Sequence, residues 1–159
     1  MQTYSLIRTQ HLRAPHRDVF AFFQAPENLS RLTPPWLAFN ILTPRPLVMA
    51  TGARFDYKVR WLGLSIGWTT VIREYDPPVR FVDEQLRGPY ALWHHTHDFR
   101  KTPEGTQMTD TVRYALPLGP LGSMVHLLVV RRQLQEIFEF RQRAIAEVFD
   151  NFPEGPAEQ

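Results

Sequence analysis

The chain contains no cysteine. That removes disulfides, thiolate zinc sites, iron–sulfur clusters and cysteine nucleophiles as sources of stability or chemistry. Lysine is almost missing too: of 18 basic residues only Lys58 and Lys101 are lysine, and the net charge is +2. The arginines are scattered, with no run longer than Arg131-Arg132. A nucleic-acid footprint needs basic residues gathered on one face, so nucleic acid is not an expected partner. No apolar run approaches the ~18 residues of a membrane span. Met1 is not followed by a basic-then-apolar leader. The expectation is a cytoplasmic protein with no integral membrane segment. Glycine is sparse, 8 against 14 prolines, and Gly119-Pro120-Leu121-Gly122 lacks the lysine and spacing of a phosphate loop. It reads as a strand-to-helix hinge.

Aromatic residues are what the chain has in excess: 11 Phe, 5 Tyr and 4 Trp in 159 residues. Each ring can bury roughly 150–250 Å², so the core is dense with rings or some of them line a cavity. The length suits one domain, expected over residues 1–152 with a flexible tail at 153–159.

Proline punctuates a series of short elements. Tyr4 to Leu12 reads as a strand. Two short helical stretches follow, Asp18–Phe23 and Pro26–Leu32, bounded by Pro15 and Pro34-Pro35. Phe39–Thr43 is a short strand whose edge could pair across a homodimer. Monomer and dimer both stay open. From Gly52 onward the apolar period becomes two, giving strands around Phe55–Trp61, Ile66–Ile72, Arg80–Arg87, Leu92–Phe99 and Met108–Leu116, with Lys101–Gly105 as a hairpin loop. The last segment, about Leu121 to Asp150, switches to helical spacing through Leu127, Val130, Leu134, Ile137, Phe138, Arg141, Ile145 and Val148. The fold class is α+β: a curved antiparallel sheet of about seven strands around a long C-terminal helix, with two short helices after the first strand. Seven strands at about 4.8 Å spacing span over 30 Å, whereas one helix is about 10 Å across. The helix cannot cover the sheet, and an uncovered pocket lined by inward rings is the geometric expectation.

Three stretches carry a family resemblance. They are Asn28-Leu29-x-x-Leu32-Thr33-Pro34-Pro35, then Phe81-x-Asp83-x-Gln85-x-x-Gly88-Pro89-Tyr90-x-x-Trp93-x-His95-x-His97-x-Phe99, and Asp110 followed by Pro117-x-Gly119-Pro120-Leu121-Gly122. With the order of elements over about residues 3–150, they resemble the START-like or SRPBCC superfamily of helix-grip domains, which includes polyketide cyclase/dehydrase and coenzyme Q-binding domains. The resemblance implies that fold and a hydrophobic ligand cavity. It implies no particular reaction.

Strand parity places Trp93, His95, His97 and Phe99 on the inner face of one strand and Met108, Asp110, Val112 and Tyr114 on the inner face of its partner. A regular hairpin sets Asp110 across from His97 and Val112 across from His95. Asp83 and Gln85 share parity with Phe81 on the next strand. The expected cluster is therefore Asp83, Gln85, His95, His97 and Asp110, set among Tyr57, Trp61, Trp68, Phe81, Trp93, Phe99 and Tyr114. Leu134, Phe138 and Arg141 face it from the helix. Three readings are open: a buried hydrogen-bond network that fixes register, recognition of a small molecule, and catalysis. In the last, His95 or His97 with Asp110 would act as general base in a cyclase- or dehydratase-type reaction. No metal and no cofactor is expected, although His-x-His with a facing carboxylate imitates a metal triad. His11, His16 and His126 show no partner in the sequence, and His94 has outward parity. The functional expectation is binding, transport or sequestration of a hydrophobic or amphipathic, lipid-like small molecule. Alternatives are the enzyme above and a protein-interaction module marked by an exposed apolar patch.

Overall fold

A computed structural model describes residues 1–61 and 63–150. The expected tail 153–159 and helix end at Asn151–Pro153 lie outside them. Strand β1 (Tyr4–Leu12) leads into helix α1 (His16–Phe23) and two 3-10 turns, Pro26–Leu32 and Pro35–Leu37. Six further strands follow: β2 (Asn40–Ile41), β3 (Arg54–Trp61), β4 (Leu64–Asp76), β5 (Arg80–Arg87), β6 (Leu92–Thr102) and β7 (Gly105–Ala115). They form one antiparallel sheet in the order β1-β7-β6-β5-β4-β3-β2. Only β1 and β7 join ends of the sequence; the other neighbours are consecutive, which is what short loops require.

The C-terminal helix comes in three parts: α2 (Gly119–Val125), a π turn (His126–Val130) and α3 (Arg131–Asp150). The stretch is roughly 48 Å long at 1.5 Å per residue. The π turn accounts for one departure from the expected stripe. It keeps His126 and Val130 inside and turns Leu127 out to 66% exposure, because a wider turn rotates the residues before it relative to an unbroken α-helix. Phe149 rather than Val148 ends the buried stripe. The β6–β7 hairpin is also tighter than expected. Thr102 pairs with Gly105, so only Pro103-Glu104 turn the chain where a loop over Lys101–Gly105 was expected.

Three apolar clusters show where the helix touches the sheet. Val112 and Tyr114 of β7 pack on Val130, Leu134 and Phe138. Phe20 and Phe23 of α1 pack with Phe99, Ile145 and Phe149 and close one end. Phe55, Tyr57 and Ile72 of β3 and β4 gather residues from the 3-10 and β2 region, and none from the C-terminal helix. The helix thus lies along the β1/β7/β6 side. Register shifts between Thr69 and Thr70 and between Ile72 and Glu74 curl the far strands, as bulges do. The space between far strands and helix follows from this.

Gly105 is one of the tight points of the frame. Its φ of +141° is open chiefly to glycine, and a Cβ there would lie 2.1 Å from the Leu12 carbonyl oxygen. Gly105→Ala is expected to cost about 2–4 kcal/mol and lower Tm by roughly 5–15 °C. Gly67→Ala, with open space around it, should stay within about 0.5 kcal/mol of the parent. Thermal unfolding followed by circular dichroism checks both.

Candidate functional site: an aromatic cavity with one ionic end

The space between β3–β6 and the C-terminal helix is a cavity of about 440 Å³, inside the range of small-molecule sites. Tyr57, Trp61, Trp68, Phe81 and Trp93 line it from the sheet, and Leu134 and Phe138 line it from the helix. Trp68 and Trp93 meet edge to face at 5.3 Å, and Tyr90 packs on both. Such contacts hold rings in fixed orientations. Trp61 donates its indole N–H to Gln133 and so ties the β3–β4 hairpin to α3.

The charged groups of the lining gather at one place. The pairing His97 with Asp110 and His95 with Val112 is the register that strand parity predicted. His95 Nε2 lies 2.9 Å from Asp110 Oδ1, and His97 Nε2 lies 2.8 Å from Asp83 Oδ2. Arg141 donates Nε–H to Asp110 Oδ2 at 3.1 Å. His97 Nδ1 is also 2.9 Å from Asp110 Oδ1, but off the line of a hydrogen bond, so that contact is one of charge. His95 Nδ1 stands 3.7 Å from Asp83 Oδ2, beyond hydrogen-bond reach. The two imidazoles overlap at 3.8 Å, with Phe81 stacked on the outer side of His97 at 4.1 Å.

Charge balance assigns the protons. Two buried carboxylates face one guanidinium, so one imidazolium makes the cluster neutral, as burial demands. Burial alone would lower the pKa of His97, yet Asp110 and Asp83 outweigh it and raise the value. For His95, burial and the charge on His97 win over Asp110, and its pKa is lowered. Burial would raise Asp110, but Arg141 and the two imidazoles hold it well below the usual carboxylate range. Asp83 is likewise lowered, with His97 the main partner opposing burial. His97 is the imidazolium and His95 is neutral, with its Nε2–H on Asp110. The atoms of Asp83, His95 and His97 lie within 4.8 Å of one another and have the make-up of a metal triad. Both nitrogens of His97 face carboxylates, and Arg141 sits beside the group, so these donors do not fit a resident cation.

Four of the expected site residues stand elsewhere. Gln85 turns back to bond the backbone of Tyr90 through both ends of its amide, so it fixes the Gly88-Pro89 turn instead of joining the cluster. Phe99 is covered by Phe20 and Phe23, and Tyr114 packs between Tyr4 and His126. Asp110 sits behind the imidazoles, away from the cavity wall. Arg141 is more central than its place in the sequence suggested. Its guanidinium bonds Asp110 and covers the Phe23 ring. Two histidines without sequence partners have structural ones: His126 stacks on Tyr4 at 3.5 Å and bonds the Tyr114 hydroxyl, and His16 bonds the Phe99 carbonyl. Their partners are distant in sequence, so no local signal could have shown them. His94 lies on the opposite face, half-buried beside Glu84.

Two outcomes are expected from this network. Arg141→Met leaves Asp110 buried against too little positive charge and should cost roughly 3–5 kcal/mol in urea unfolding. In NMR titration, His97 should lose its proton above the ordinary 6.5 and His95 below it. The signs differ. The His97 contribution to stability is complete below 6.5 and fades as pH rises through its folded value. Those of His95 and the aspartates are complete above 6.5 and 3.8 respectively and fade as pH falls through their folded values. Coincident titration of both histidines at 6.5 would contradict the assignment.

Solved structures share this architecture. The protein CV1439 of Chromobacterium violaceum superposes with a TM-score of 0.70 at 14% identity, over 93% of this chain and 99% of its own. TTHA0849 of Thermus thermophilus gives 0.64 at 19% identity, over 92% and 95%. Ara h 8.0201 gives 0.63 at 13% identity, over 92% and 99%. At these identities the likeness shows the helix-grip fold. A search of curated proteins finds no match. The family model described as polyketide cyclase/dehydrase and lipid transport matches residues 12–140, the span that holds the curled sheet, the cavity and the ionic cluster, and the chain belongs to that SRPBCC-type family.

Proposed function

We propose that the protein binds one hydrophobic or amphipathic small molecule in this cavity, for carriage or sequestration. One observation carries the reading: an apolar, ring-lined space whose charged lining residues, Asp83, His95, His97 and Arg141, all belong to one network at one end. An apolar ligand body would gain about 25 cal/mol for each Å² taken from water. Orientation would come from the network edge. Asp83 is its least buried carboxylate, and His95 Nδ1 carries the lone pair of a neutral imidazole. Both accept hydrogen bonds. The fitting ligand therefore has an apolar ring or chain body and a hydroxyl or similar donor at one end.

A second reading rests on the same lone pair. Asp110 fixes the tautomer of His95 and leaves Nδ1 as a base at the cavity wall. That favours His95 over His97, whose nitrogens both face carboxylates. It makes proton abstraction from a bound substrate the chemistry of a cyclase- or dehydratase-type enzyme on this frame.

Titration with the neutral dye N-phenyl-1-naphthylamine tests the binding reading. Saturable one-to-one binding with quenching of tryptophan emission is expected. Val59→Trp, placed on the cavity wall, should weaken it at least about tenfold, roughly 1.4 kcal/mol. Asp83→Asn should leave the dye's affinity within about twofold, since the dye's body and not its end carries the binding. Absence of saturable binding, or indifference to Val59→Trp, would overturn the proposal.

A further inference from the structure

The first part of the C-terminal helix carries apolar side chains on the outside. Leu118, Leu121, Met124, Leu127 and Leu128 are all more than half exposed, Leu118 at 73% and Leu128 at 69%. They recur at three- and four-residue spacing, so they form one ridge. On a protein surface a contiguous apolar ridge marks a contact site. Leu118 also lines the cavity, with Pro117, Gly122 and Val125. A residue that both lines the cavity and is exposed marks its rim, so the ridge stands at the mouth. Leu64, at the tip of the β3–β4 hairpin and paired with cavity-lining Trp61, is a further exposed apolar side chain, at 67%.

Charge around the ridge has one sign. From Thr111 to Gln135 the chain holds no Asp or Glu, while Arg113, Arg131 and Arg132 are exposed. Arg113 points to the outer face of the sheet; beside the ridge, Arg132 shares its charge with Glu136 one turn on, and Arg131 has no acidic neighbour within that stretch. Two copies of this face packed on each other would offer the arginines no acidic residue of the same segment. Protein-binding hot spots favour Trp and Tyr, and leucine is under-represented in them. The ridge is leucine and methionine. Leucines over a basic flank are what an interfacial helix presents to anionic lipid. No described helix is long and apolar enough to cross a membrane, so the contact is with the surface of the bilayer.

The geometry points to the Leu118–Leu128 ridge with Arg131 and Arg132 as a docking face for an anionic lipid bilayer, set at the mouth of the cavity. The backbone supports such a role. Leu118 is left-handed at φ +71°, and Gly119 follows at +53°. Leucine rarely takes that conformation, and Leu118 in it is 73% exposed. The inference stands on the surface alone and does not depend on what the cavity holds.

Co-sedimentation with vesicles tests it, using equal parts phosphatidylglycerol and phosphatidylcholine against phosphatidylcholine alone. The intact chain should sediment with the anionic vesicles and far less with the zwitterionic ones, and added salt should release it. Arg131→Gln with Arg132→Gln should weaken binding about 25-fold, at about fivefold for each basic residue. Leu127→Gln with Leu128→Gln, both exposed, should abolish it. Both variants should bind N-phenyl-1-naphthylamine as the parent does, which separates failure of docking from failure of the cavity reading. No binding to anionic vesicles, equal binding to both compositions, or binding unmoved by either variant would overturn the inference. So would a dimer in light scattering that Leu127→Gln with Leu128→Gln dissolves while vesicle binding is absent, since the ridge would then belong to a second copy.

Discussion

Asp110 holds this structure's two layers in register. Its carboxylate lies within the sheet's inner face on β7, takes the guanidinium of Arg141 from α3, and faces both imidazoles of β6. A buried carboxylate with three cationic or donor neighbours is stable only if the layers sit where those neighbours can reach it. The helix is thereby fixed along the β6–β7 side. Beyond the tie of Trp61 to Gln133, the curled β3 and β4 stand off from the helix, and their rings line the space between. The same interaction that anchors the helix therefore creates the cavity and sets its polar end.

This coupling also divides the labour among the charged residues. Asp110 stands behind the wall and Arg141 at its edge, where they balance charge, and His97 completes the balance as imidazolium between them and Asp83. His95 is left neutral with one nitrogen uncommitted. Asp83 and the free edge of His95 are the acceptors at the cavity wall, and the hydrogen bonds of the rest of the network hold that edge in place. Rigid presentation of a few polar atoms in an apolar pocket is how small-molecule sites gain orientation without much polar surface.

Much of the frame was legible in the sequence because period-two patterning is unambiguous when one face of a sheet is buried. The pairing of His97 with Asp110 followed from parity and the hairpin alone. Arg141 stood in the apolar stripe of the helix and pointed to its place, though its partner could not be named from spacing. Three features escaped for physical reasons. Parity says that Phe99, Tyr114 and Gln85 point inward but not what covers them: α1 seals Phe99, His126 and Tyr4 take Tyr114, and a turn captures the Gln85 amide. The π turn shifts the helix phase by a fraction of a turn, so Leu127 looked buried. Contacts such as His126 with Tyr4 depend on β1 closing against β7, a long-range pairing with no local signature.

The central claim is that the space between β3–β4 and the helix is a permanent site for an apolar molecule with a donor at its Asp83 end. A crystal structure of the protein grown with 2-naphthol addresses it directly. The account predicts electron density for the ring system among Trp68, Trp93 and Phe138, with its hydroxyl donating to Asp83 or His95. Density only on the outer surface, or Trp68 and Trp93 collapsed onto Phe138 with no space between, would contradict it.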